Sequence, residues 1–366
     1  MERIKGFFQS LTLKQIVWSS ITIGCILLYG ILTLWMNHET RGLVDQQGAV
    51  RWDSEGDSAQ VSCYFEEHVE ITKNEFIGFE KTLEKMLKEV LPQEDYAEEN
   101  DKRLVVDAYS AMGTISITSK KGKMDNVAAI GIGGDFFLFH PVQLLEGGYF
   151  SGDDLMQDSI LLDEDGAWQL FGSSDIVGQS VMIGGIPHYV AGVFERADGR
   201  FAEDAGLDKP IVFVSEETLS QHGTTKGISS YEVIAPNPVK RFVYNAVKEK
   251  LGVKETDMVV VENSARYSLE SLLTIIFDFG TRSMRKTAVH FPYWENIARG
   301  YEDISAFVLL FRLLFLLMAG IIVMVFLIVK WKNRKFSWKD IRNYLSDKRE
   351  QLRSRTWEEK KKWEQF

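Results

Sequence analysis

"GGYFSGDDLMQDSILLDEDGAWQLFGSSDIVGQSVMIGGIPHYVAGVFE", residues 147–195, sets short apolar runs between glycines and aspartates. Residues 159–162 have the length and apolarity of a buried strand. Ala167, Trp168, Leu170 and Phe171 form the apolar face of a brief helix, and Gly172 ends it, since glycine takes the left-handed C-terminal conformation without strain. Gly184-Gly185 separates residues 180–183 from 188–191, a hairpin signal. Together these predict a small β-rich inserted subdomain over residues 125–207.

On either side the texture changes. Residues 60–65 alternate Val61, Cys63 and Phe65 with Gln60, Ser62 and Tyr64, the period of a half-buried strand. Phe76, Phe79, Leu83, Met86 and Val90 then recur at helical spacing until Pro92 stops the run. Two strands are expected next, at 103–109 and 114–119. After the subdomain come strands at 210–215 and 231–235. Asn237-Pro238 then reads as the start of a helix with the face Val239, Phe242, Val243, Ala246 and Val247, and a strand at 258–262 closes the unit. Two strand-helix-strand units, 58–124 and 208–262, would thus build one α+β layer carrying the insert. A helix through Leu269, Leu272, Leu273, Ile276 and Phe279 belongs to a membrane-proximal stalk, 263–303, interrupted near Pro292.

The two ends place this domain outside a membrane. Residues 16–36 are uncharged, and 21 residues at about 1.5 Å each cross a hydrocarbon layer of roughly 30 Å. A cleaved signal peptide fits less well: the run is longer than such apolar regions, and Met36-Asn37-His38-Glu39 offers no small-residue cleavage site. The second span is read at 304–329, with Tyr293, Trp294 and Tyr301 before it and Trp331 after it as interfacial aromatics. Arg312 is its one charge, a candidate intramembrane contact that reads best as snorkelling toward the outer interface.

Residues 1–15 hold three basic and one acidic residue, and 330–366 hold thirteen and six, so both termini are expected to be cytoplasmic. Residues 37–303 hold 25 basic and 45 acidic residues. So acidic an outer domain argues against nucleic acid or an anionic surface as its partner. Cys25 falls in the first span and Cys63 in the domain, so they cannot pair and each reads as a small apolar filler.

Catalytic and cofactor patterns are missing. "IGIGGDFFLF", residues 130–139, has Phe136 where a dinucleotide loop needs its third glycine, and Gly122-Lys123 is followed by Met124, not the hydroxyl residue of a phosphate loop. Gly131, Gly133 and Gly134 read instead as the junction into the insert, with Phe136, Phe137 and Phe139 packing its core. The six histidines lack zinc-site spacing, Asp153-Asp154, Asp158 and Asp163-Glu164-Asp165 lack calcium-loop spacing, and no nucleophile elbow is present. No enzyme activity, cofactor or metal is expected.

Residues 147–195 resemble the extracytoplasmic core domain of MacB/FtsX-type ABC-transporter permeases. The resemblance rests on Gly148-Tyr149-Phe150, on residues 160–162, on Ala167 with Leu170-Phe171-Gly172, on Gly178 with Val181, and on Val190 with Gly192-Val193. These follow the family's order of turn, strand, "A-x-x-L-F-G" helix and two strands, and the span–domain–span layout extends the likeness over residues 1–330. Family members generally carry four spans, so a reduced two-span form is expected. The resemblance implies a non-catalytic membrane subunit that couples a separate cytoplasmic ABC ATPase to movement of the outer domain. Another permease subunit or a second copy, and membrane lipid, are its other expected partners. Two spans are too few to enclose a pore, which fits coupling better than conduction. The alternative is a membrane-anchored extracytoplasmic binding or scaffold protein.

Two terminal surfaces are candidates for docking the ATPase or the membrane. Ile4, Phe7, Phe8 and Leu11 fall at i, i+3, i+4 and i+7 beside Arg3 and Lys5, an amphipathic cytoplasmic helix within residues 1–15. Trp338, Ile341 and Leu345, with Leu352, fall at near-heptad spacing in a basic helical tail, 330–366, that opens on a capping-box-like Ser337 and Asp340.

Overall fold

In the computed structural model, residues 12–54, 57–92, 103–284, 289–332, 342 and 346–349 are described. The chain divides into two units, residues 34–309 and a second made of 1–33 with 310–366. The smaller unit holds most of α1 (Leu13–Arg41) and the later part of the last helix. Both helices are long and apolar enough to cross a membrane.

The larger unit is a mixed α+β domain. After a 3₁₀ turn (Val44–Gln46) and a short helix α2 (Gly48–Trp52), β1 (Ser58–Phe65) enters the sheet, with Val61 and Cys63 fully buried as their alternation predicts. Helix α3 (Lys73–Val90) starts where Glu75 accepts from the Thr72 amide at 2.7 Å, closing a capping box, and stops before Pro92. It buries Phe76, Phe79, Leu83 and Leu87 on one face, each contributing about 1.5–3 kcal/mol. Phe76 stacks on Tyr231 with ring centroids 4.3 Å apart.

Residues 106–118 form one strand, β2 (Val106–Thr118), where two were expected. Gly113 does not break it: the missing side chain lets the Thr224 carbonyl approach, which an added Cβ would meet at 2.4 Å. Next come β3 (Lys123–Gly134), α4 (Phe136–Phe139), β4 (Gln143–Gly147), β5 (Ser159–Asp163), α5 (Glu164–Phe171), β6 (Ser180–Ile183) and β7 (Ile186–Glu195). The chain continues through β8 (Ile211–Ser215), α6 (Glu216–His222), β9 (Thr224–Pro236), α7 (Phe242–Lys250), β10 (Met258–Glu262), α8 (Leu269–Met284) and α9 (Tyr293–Lys332).

The ten strands of the described residues join one sheet in the order β10-β1-β9-β2-β3-β8-β5-β7-β4, with β6 bridging β2 and β7. The strands of the β-rich inserted subdomain join the same sheet as the α+β layer that carries them. They share a core of Leu162, Leu170, Val181, Val190 and Val214, distinct from the one beneath α3 and α7. Among the described strands only β3/β8 and β5/β7 are parallel pairs.

Gly134 ends β3 at φ 64°, and an added Cβ would stand 2.5 Å from the Asp107 carbonyl, so the glycine-rich stretch is a structural turn into α4. Phe136 and Phe139 pack a third core with Phe213 and Trp294. Several side chains depart from expectation: Val90, Trp168 and Val239 are exposed rather than on buried helix faces, and Trp294 is buried. Asn237 caps α7 from a distance, its Oδ1 accepting from the Phe242 amide at 2.9 Å, while α7 begins only after Arg241 in the left-handed region.

Candidate functional site

The site sits on the sheet face opposite α3, where the first turns of α9 are held by charge. Trp294 is 1% exposed, lies over the His140 ring at 4.1 Å and meets Phe136 edge-on at 5.6 Å. Tyr301 packs edge-on against Phe201. Tyr293, Trp294 and Tyr301, expected in a membrane interface, thus belong to the domain, because α9 starts inside it and only its later turns form the apolar stretch.

One turn on from Trp294, Glu295 is fully buried. Arg266, in the loop after β10, donates to it twice, Nη1 to Oε2 at 2.7 Å and Nη2 to Oε1 at 2.8 Å. Arg266 Nε donates to Glu302 at 2.6 Å, Arg299 Nε donates to Glu295 at 2.7 Å, and the Tyr64 hydroxyl donates to Glu295 at 3.2 Å. Burial would raise the Glu295 pKa, but Arg266 and Arg299 outweigh it and hold the carboxyl below its usual range. Arg266 is likewise held well above its ordinary value: burial opposes the charge, and Glu295 and Glu302 overcome it. The cluster forms one wall of a cleft of about 750 Å³ between β10, α8 and α9.

The charged chain continues into the sheet. Arg266 Nη1 also donates to Asn263 at 3.0 Å, Asn263 Nδ2 donates to Ser62 at 2.6 Å, and Ser62 donates to Glu232 on β9. Glu232 meets His140 Nε2, and His140 Nδ1 lies 2.9 Å from Asp45 in the turn that follows α1. Burial pulls the His140 pKa down, but Glu232 and Asp45 outweigh it and set it at about 9. A continuous polar line thus runs from Asp45 to Glu302, buried except near its ends.

Sequence reasoning missed this line because its members are scattered from 45 to 302 and no local spacing ties them together. One signal was present: Glu295, Arg299 and Glu302 fall at i, i+4 and i+7, a charged stripe just ahead of an apolar span.

Of the residues singled out from sequence, Arg312 lies in the smaller unit with its guanidinium 5.2 Å from the Tyr29 ring centroid and its Nε buried without a hydrogen-bond partner. Ile4, Phe7, Phe8, Leu11, Trp338, Ile341 and Leu345 lie outside the described residues. Both cysteines are free, and burial pushes the Cys63 thiol well up, as suits a core filler. Glu66, His68 and Asp257 bring donor atoms within 4.8 Å of one another. The two His68 ring nitrogens face different carboxylates, Glu66 at 3.4 Å and Asp257 at 3.6 Å, so that one exposed imidazole bridges two acids.

A sequence profile of the MacB-like periplasmic core domain matches residues 19–249. The chain is 36% identical over 78 residues to the macrolide export ATP-binding/permease protein MacB of Chromobacterium violaceum, covering 21% of this chain and 12% of that one. With the Agrobacterium fabrum protein of the same name it shares 24% identity over 183 residues, 47% of this chain and 28% of that one. It therefore spans well under half the length of these relatives. The periplasmic region of MacB from Actinobacillus actinomycetemcomitans superposes with a TM-score of 0.40 at 16% identity, over 62% of this chain and 94% of that one. The extracellular domain of the noncanonic ABC-type transporter YknZ from Gram-positive bacteria gives 0.35 at 15% identity, over 55% and 99%. With the profile covering more than half of its residues, the chain belongs to the family of proteins that carry a MacB-like periplasmic core domain.

Proposed function

We propose that this chain is a non-catalytic coupling subunit of an ABC-type machine, delivering movement driven by a separate cytoplasmic ATPase to its extracytoplasmic domain. The observation that carries the reading is α9: one unbroken 40-residue helix whose first turns are clamped in the domain by the buried Arg266–Glu295 pair. A continuous helix resists bending, and a bidentate pair fixes angle as well as distance, so displacement of the membrane part reaches the sheet with little slack. Membership of the MacB-like family supports association with an ABC transporter. The excess of Lys and Arg near both termini supports a cytoplasmic placement for them. There the amphipathic stretch with Ile4, Phe7, Phe8 and Leu11, or the tail with Trp338, Ile341 and Leu345, would meet the ATPase or the inner lipid surface.

A fuller permease subunit or a second copy would complete the membrane part. The test is crosslinked pull-down from native membranes with and without ATP. Recovery of an ABC ATPase supports coupling, and recovery of none in either condition contradicts it.

A further inference from the structure

The two chain segments that join the domain to its apolar helices meet at one imidazole. From the first side, the turn after α1 presents Asp45 to His140 Nδ1 at 2.9 Å. From the other, α9 lays Trp294 over the same ring at 4.1 Å. The remaining nitrogen, Nε2, meets Glu232 on β9, the third strand in from the β10 edge of the sheet. His140 is 0% exposed, and Phe136 closes another side at 4.9 Å. An imidazolium between two carboxylates is the one form of this side chain that satisfies both partners by donation.

We infer that His140 is a positioning residue that latches the segment leaving the first apolar helix onto β9 at the ring on which α9 lays Trp294, so that both segments reach β9 through one side chain. This deepens the coupling reading and rests on it: a domain moved through one helix alone would tilt on its joint, whereas two helices tied to one strand move it as a body. The rest of segment 44–52 is also tied down: Gln60 Nε2 donates to the Asp45 carbonyl at 2.7 Å, and Arg51 donates to the Leu138 and Phe139 carbonyls at 2.8 and 2.9 Å. Of these ties only the one through His140 is titratable. The charged or titratable groups facing it are Asp45 and Glu232, with Arg51 and Tyr293 acting on Asp45 from α2 and α9.

The test is amide hydrogen exchange on the full chain in phosphatidylglycerol/phosphatidylethanolamine nanodiscs between pH 6 and 10, corrected for intrinsic rates. Opening the latch frees a histidine of ordinary pKa near 6.5, so the opening of residues 43–52 should rise about tenfold per pH unit from 6.5 to about 9 and then level off. His140→Gln should abolish this rise. Asp45→Asn, which leaves the buried core intact, should cut its total extent. A flat profile for 43–52 in the wild type, or an equal rise across β1 and β9, overturns the inference, since a merely structural histidine would weaken the whole domain together. No ATPase takes part, so failure here leaves the coupling reading to its own test.

Discussion

Arg266 donates to both carboxylate oxygens of Glu295, at 2.7 and 2.8 Å, with each side chain only 1% exposed. A pair so deeply desolvated fixes geometry more than it adds stability, because the cost of burying two charges nearly cancels their attraction. Breaking it from one side should be far more damaging than replacing both partners. Arg266→Met takes the bidentate donor from Glu295, leaving it to Arg299 and Tyr64, and removes a donor from Glu302, and should cost about 3–5 kcal/mol of domain stability in denaturant unfolding. Combining it with Glu295→Leu should cost clearly less than the two single changes added together, and full additivity would deny that the residues act as a unit.

Asp107 gives the domain a pH dependence of opposite origin. Burial first, then Glu80, Asp135 and Asp153, raise its carboxyl to about 6, while the Tyr231 hydroxyl donating at 3.0 Å only partly offsets this. A carboxyl with a raised folded pKa binds its proton more tightly when folded. Its contribution is therefore fully present below about pH 4 and is lost as pH rises through 6. Asp107→Asn keeps an acceptor for Tyr231 and removes the charge. It should raise stability at pH 7 by up to about 3 kcal/mol and flatten the slope between pH 4 and 6, read as melting temperature against pH.

In the smaller unit, the Arg312 guanidinium over Tyr29 links the two apolar helices. A double-mutant cycle with Tyr29→Leu and Arg312→Met, followed by unfolding in lipid, should show a coupling of about 0.5–2 kcal/mol. A coupling of zero would leave Arg312 as a snorkelling side chain with no partner on the first helix.

Removal of residues 337–366 discriminates between the two candidate terminal docking stretches. If the tail with Trp338, Ile341 and Leu345 holds the ATPase, recovery of the ATPase on purification should fall at least tenfold. Undiminished recovery moves the role to the stretch with Ile4, Phe7, Phe8 and Leu11.

Much of this fold could be read locally. The two apolar helices, α3, α5, β1 and the Gly184-Gly185 hairpin all announce themselves by period, caps or glycines, since each is decided by neighbours within a few residues. The merged β2 could not be read this way, because Gly113 is a break in sequence terms and a close-approach point in the sheet. Trp294 escapes a local reading for a related reason. An aromatic ahead of an apolar span looks the same whether it faces lipid or a domain core, and only the position of the sheet decides. The polar line from Asp45 to Glu302 depends wholly on tertiary neighbours: His140 alone draws on a turn, a strand and a helix more than 90 residues away from it.

The central claim is that α9 carries ATP-driven movement into the domain, and one distance tests it directly. Spin labels at Leu155→Cys and Trp331→Cys, both exposed positions, would report the separation between the domain surface and the far end of α9 in the ATPase-bound complex. The account predicts that ATP shifts this distance in the native chain, and that two glycines inserted after Asp303 abolish the shift while ATPase binding and hydrolysis persist. An equal shift in the native and glycine-inserted chains would contradict it.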